Sequence, residues 1–188
     1  MALAVGCAPV NTDPGSEVER TWQQALVFFP KRFSYLRPSE ISVRDPHPTV
    51  VYLHGCTGIT GQDIFWATTL AQAGYAVVMP NSFARHHRRK NCNPRMTSMG
   101  LFPEALRMRD EEIRHAVAML QSSPWVDVKN LFLMGHSEGG AAVSRWYGHG
   151  FKALIISGNE CRAGIPAPHG AAILAVEVLC PTCITLPT

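Results

Sequence analysis

No run in this sequence approaches the roughly 18 consecutive apolar residues that cross a bilayer as a helix, so nothing here reads as a spanning helix. Internal repeats and low-complexity tracts are absent, which argues against a solenoid or a disordered chain. Charge is sparse, at 16% of residues, and the net charge of +3 is too mild to argue for nucleic acid. Cys180 and Cys183 have C-x-x-C spacing, but no second pair completes a zinc site, and the strand-then-helix setting of a redox motif is missing. The 51 residues after Ser137 hold no aspartate and only two histidines, His149 and His169. What is present is a chain of 188 residues, 46% hydrophobic, which is enough for one soluble globular domain with a real core.

The first residues, MALAVGCAPVNTDPGSE, run from small and apolar residues into Cys7 and then into a polar, proline-containing stretch. This resembles the end of a bacterial lipoprotein signal followed by a tether, although six residues before the cysteine are too few for a working signal. Residues 1–17 are expected to be disordered, with one domain over 18–188. A start lying further upstream would imply the periplasm or a lipid anchor; otherwise the expectation is the cytoplasm. Of the six cysteines, Cys56, Cys92 and Cys161 sit in polar loops and could pair in an oxidising compartment.

Along the chain, TVVYLHG (49–55) reads as a buried strand and QDIFWATTLAQAG (62–74) as a helix that stops at glycine. YAVVMPN (75–81) is the next strand, 82–102 a long polar loop, and 103–123 a helix with Pro103 in its first turn and an apolar stripe of Leu106, Ile113, Val117 and Leu120. NLFLMGHS (130–137), FKALIISGN (151–159) and AAILAVEVL (171–179) read as strands, with a helix over 138–148. Strands alternating with helices imply a parallel sheet covered on both faces. Ligands of such sheets lie beyond the carboxyl ends of the strands. The LHGCTG turn, the MPNSF loop, Ser137 and the SGNECR loop all fall at that edge.

Gly135-His136-Ser137-Glu138-Gly139 is G-x-S-x-G, the strained strand-to-helix turn that presents a serine nucleophile. The pattern also arises by chance, but here an apolar strand precedes it and a helix follows. Acyl transfer needs donors for the oxyanion. The backbone N–H of Glu138 and that of Cys56, in the HGCTG turn, are the candidates. The competing reading of His54-Gly55 is an ordinary strand end, and that of Cys56 is one half of a disulfide.

Together VVYLHGCTG, GYAVVMPNSFAR and LFLMGHSEGGAAV resemble an α/β-hydrolase of the dienelactone hydrolase-like group, over roughly residues 45 to 160. The resemblance implies a three-layer α/β sandwich with a mostly parallel sheet. It also implies ester or lactone hydrolysis through an acyl-enzyme at Ser137, with no cofactor and no metal. It further implies an aspartate just after the next-to-last core strand and a histidine after the last. Strand 171–179 sits where the acid-bearing strand belongs, but the chain then reads CPTCITLPT. The expected fold therefore lacks the last strand and helix, as if by truncation or a shifted reading frame. His169 and Glu177 are the substitute base and acid; each reads equally well as a loop histidine and a strand-end carboxylate. His149, His86 and His87 are weaker substitutes, and His136 reads as a motif filler turned away from the site.

The basic run RHHRRK (85–90) reads as a solvated loop over the active edge; neither a recognition helix nor zinc spacing accompanies it, so no nucleic-acid partner is expected. The partner expected is a small ester or lactone, with self-association through an uncovered edge. The competing functions are a catalytically silent α/β-hydrolase-fold binding protein or fragment, and, more remotely, a redox or metal protein built on the cysteines.

Overall fold

The computed structural model describes residues 15–88 and 103–158, and the backbone of 172–176. Among these residues the order of elements is α1 (Glu17–Gln23), β1 (Leu26–Phe28), β2 (His47–Leu53), α2 (Gly61–Gln72), β3 (Ala76–Met79), α3 (Pro103–Gln121), β4 (Val126–His136), α4 (Glu138–Val143), β5 (Ala153–Ser157) and β6 (Ala172–Val176). They build a six-stranded sheet in the order β1-β3-β2-β4-β5-β6. Five strands run parallel, and β1 joins β3 antiparallel at one edge.

Period-two alternation divides the apolar residues between two faces. Val51, Leu53, Val78, Leu131, Leu133, Leu154 and Ile156 point to one face, where Trp22 of α1, Ile113 and Leu120 of α3, and Val143 of α4 close a buried cluster. Val50, Tyr52, Val77, Met79 and Met134 point to the other, against Ala67 and Ala71 of α2. Helices therefore flank the sheet on both sides, which is the three-layer arrangement expected.

Neither α1 nor β1 is among the elements expected from the sequence pattern. Ser16 caps α1, its Oγ accepting the Glu19 N–H at 3.2 Å. Trp22 of α1 lies edge-on to His115 of α3, and His115 Nε2 lies 2.9 Å from Glu19 Oε2. An ordered helix from Glu17 places the end of the expected disordered segment slightly too late. The elbow helix is also shorter than 138–148, and β4 starts at Val126 rather than at 130.

α2 is anchored from inside the core. Asp63, 1% exposed, accepts the Tyr52 phenol at 3.1 Å on one oxygen and the Thr60 N–H and hydroxyl at 2.7 and 2.6 Å on the other. Burial, reinforced by the Asp63 charge, pushes the Tyr52 phenol well above its ordinary range, so it stays a donor. Asp63→Ala removes the cap and strands the phenol. The expected loss is about 2–4 kcal/mol in urea unfolding; a loss like that of a surface substitution, under about 0.5 kcal/mol, would show that the cluster is not buried as described.

Candidate active site

β4 ends at His136, and Ser137 turns the chain into α4 with φ 54° and ψ −115°. A positive φ is costly for a residue with a Cβ, of the order of 1–3 kcal/mol. The turn is also tight. A Cβ on Gly135 would meet the Gly139 carbonyl oxygen at 2.3 Å, and one on Gly139 would meet the Leu53 carbonyl oxygen at 2.1 Å. Both flanking glycines are therefore steric requirements. The Ser137 N–H donates to the Ser157 carbonyl at 2.8 Å, tying the turn to the end of β5. Ser137 is half-buried at the carboxyl edge of the parallel strands, as the strand-to-helix motif requires.

The turn after β2 lies against it. A Cβ on Gly55 would stand 3.5 Å from Ser137 Cβ, so the His54-Gly55-Cys56 segment flanks the serine directly. Cys56 is buried and disulfide-bonded, and its partner lies outside the described residues. His136, expected to turn away, instead has its ring at this edge. Its Cδ2 would be 3.7 Å from a Gly55 Cβ, its Cε1 3.0 Å from a Gly158 Cβ, and its Nδ1 is 3.4 Å from Ser157 Oγ.

Beneath the serine is a cluster of buried charge. Arg109 of α3 is completely buried. Its Nε donates to Glu138 Oε1 at 3.1 Å, its Nη1 to Glu112 Oε2 at 3.0 Å, and its Nη2 to the His54 carbonyl at 2.8 Å. Glu112 also accepts the Ser82 hydroxyl at 2.8 Å and Arg85 Nε at 3.1 Å. Arg85 reaches Glu111 at 3.2 Å and the Met108 carbonyl at 3.1 Å. Arg88 pairs with Glu138, donates to Ser82 Oγ at 3.0 Å, and lies over the Phe83 ring. Three arginines thus meet Glu111, Glu112 and Glu138.

This corrects the reading of the basic run as a solvated loop, for Arg85 and Arg88 turn inward to carboxylates. The signal was present on α3. Arg109 and Glu112 interrupt the apolar stripe at i, i+3 spacing, where solvent could not balance them singly. His86, by contrast, is exposed and meets Glu17 of α1 at 3.1 Å. His149 is exposed in the turn leading into β5. His169, Glu177, and the Cys180–Cys183 pair lie outside the described residues.

His54 is locked. The Ser82 N–H can only donate, so it makes Nε2 an acceptor at 3.1 Å, and the proton sits on Nδ1, 2.7 Å from the Gly55 carbonyl. Burial first, then the charge of Arg109, drives its pKa well below 6.5. A histidine held neutral binds fewer protons folded than unfolded. Stability is therefore fully present above the unfolded value of 6.5 and declines as pH falls below it. One proton gives a slope of up to about 1.4 kcal/mol per pH unit. Urea titrations between pH 5 and 6.5 should show this slope in the wild type and lose it in His54→Gln. An unchanged slope in His54→Gln would exclude His54 as its source.

Among the described residues no cluster of histidine, cysteine, aspartate and glutamate is arranged to hold a metal ion, and no helix is long and apolar enough to cross a membrane. The sequence profile of the dienelactone hydrolase family matches residues 35–156, about two thirds of the chain. The chain belongs to the dienelactone hydrolase family. In fold this family member is similar to a protein from Klebsiella pneumoniae subsp. pneumoniae, described as a dienelactone hydrolase. The TM-score is 0.53 at 16% identity, over 71% of this chain and 62% of the other. Est1E from Butyrivibrio proteoclasticus aligns at a TM-score of 0.46 and 19% identity, over 70% of this chain and 44% of the other. This member of the family thus spans less than two thirds of the length of either protein. No curated protein sequence matches it.

Proposed function

We propose that this chain carries the nucleophile half of a serine hydrolase acting on small carboxylic esters or lactones. In this reading the Ser137 hydroxyl attacks the carbonyl carbon. The oxyanion is met by the backbone N–H groups of Cys56 and Glu138, the alcohol or the lactone's ring oxygen departs, and water then cleaves the acyl-enzyme. The observation that carries the reading is Ser137 itself, held at φ 54° on a glycine-flanked turn, with the Gly55 backbone against it. Strain of this kind is tolerated where geometry serves a function. The family's hydrolytic chemistry supports the same conclusion.

His54 does not serve as the base, because its Nε2 already accepts the Ser82 N–H. The family resemblance implies acid and base after the strands that follow the nucleophile; Glu177 lies near that place, whereas His169 precedes the strand 171–179. The expected activity is weak, far below that of an intact triad, and passes through the Ser137 hydroxyl. Hydrolysis of p-nitrophenyl acetate tests this. The wild type should exceed background, Ser137→Ala should return to it, and His169→Ala should change little. Equal rates in wild type and Ser137→Ala would remove Ser137 from the reaction.

A further inference from the structure

We propose that Arg109, together with His54, is a positioning residue that turns the Cys56 N–H toward the Ser137 hydroxyl by pinning the Gly55–Cys56 peptide from behind. This deepens the hydrolase reading and rests on it for its kinetic consequence. Across a trans peptide the carbonyl and the N–H point in opposite directions. The Gly55 carbonyl is drawn inward by three donors: His54 Nδ1 at 2.7 Å, the Gly58 N–H at 3.3 Å and Arg109 Nη2 at 3.4 Å. The preceding carbonyl, of His54, accepts Arg109 Nη2 at 2.8 Å. With its carbonyl held on the buried side, the same peptide presents the Cys56 N–H on the opposite side, and Gly55 lies against Ser137.

Arg109 adds what His54 alone does not. The same guanidinium holds Glu138 Oε1 at 3.1 Å, and Glu138 is the residue after the serine. One rigid planar group therefore fixes both segments that carry the oxyanion donors, and the fork geometry makes lysine a poor replacement. Hydrogen bonds donated to a carbonyl also polarise its peptide, which strengthens the N–H as a donor. Arg85 provides the contrast. It is also buried and paired to Glu112, but it touches neither the Gly55 nor the His54 carbonyl.

The test compares Arg109→Lys with Arg85→Lys in the full chain, by p-nitrophenyl acetate kinetics, thermal melting and the amide resonance of ¹⁵N-labelled Cys56. Arg109→Lys should lower kcat at least about tenfold, part of the 10²–10³ that one lost oxyanion donor costs. KM should stay within about twofold, as for an interaction made in the transition state. The Cys56 amide should move upfield. Arg85→Lys should lower the melting temperature and leave kcat and the Cys56 amide in place. Should Arg109→Lys not fold, His54→Gln takes its place, since it removes the 2.7 Å donor to the same carbonyl, and the same shifts are expected. Equal kcat losses in the two lysine variants, or a wild-type kcat in Arg109→Lys, would overturn the proposal. If the wild type itself hydrolyses nothing, the hydrolase reading falls. The amide then decides alone: displaced in Arg109→Lys but not in Arg85→Lys, the clamp stands; undisplaced, it is overturned.

Discussion

Gly139→Ala is expected to yield no stably folded protein. The added Cβ would lie 2.1 Å from the Leu53 carbonyl oxygen, 2.7 Å from the Leu53 carbonyl carbon and 2.9 Å from the His54 carbonyl oxygen. All three atoms are backbone at the end of β2, a central strand, so no side chain can rotate away. Overpacking a core usually costs about 1–3 kcal/mol because side chains yield. An overlap with the backbone of two central elements belongs above that range. Gly61 is the control, since a Cβ there meets nothing within 4 Å, at the first residue of α2. Gly61→Ala should be neutral or stabilising by up to about 1 kcal/mol. Circular dichroism and melting of the two variants side by side decide the matter. A Gly139→Ala protein that melts like the wild type would mean that α4 does not approach β2 as described.

Glu112→Leu carries the second large expected loss, about 3–5 kcal/mol, because it leaves buried Arg109 and Arg85 each short of one carboxylate. At this chain length that corresponds to a melting temperature lower by roughly 6–20 °C. Asp110→Ala breaks a shorter ion pair, 2.7 Å to Arg114, but both side chains there are nearly half exposed. Its expected cost is no more than about 0.5 kcal/mol. The comparison separates burial from distance as the source of the effect. Similar losses in both variants would show that solvent reaches the Arg109 cluster.

The residues that specify backbone geometry were legible in the sequence. G-x-S-x-G between a strand and a helix can hardly be anything but a tight turn, and TVVYLHG could be placed as a buried strand from its β-branched run. The parallel sheet followed from the alternation of elements. β1 was not legible because three residues, Leu26–Phe28, show no period, and it is held by pairing with β3 and by a bridge from Val27 to Leu36. The ionic cluster was missed for a different reason. Arginine and glutamate are rarely fully buried unless paired, so a linear reading assigns them to solvent. Arg85 and Arg88 meet their carboxylates only after α3 and the elbow have packed together. The pairing is a tertiary property, and the sole local trace was the Arg109–Glu112 interruption of the apolar stripe. The candidate site is likewise legible only in part: motifs point to Ser137 and the Cys56 turn, whereas no motif points to the arginine behind that turn.

Covalent capture tests the proposed nucleophilic role of Ser137 without relying on any substrate. Folded wild-type protein is incubated with a fluorophosphonate, and the tryptic peptide 130–145 is mapped by mass spectrometry. The expected result is a phosphonyl adduct on Ser137, absent from Ser137→Ala and slower to form in Arg109→Lys. Folded wild type without the adduct, or an adduct that persists in Ser137→Ala, would contradict it.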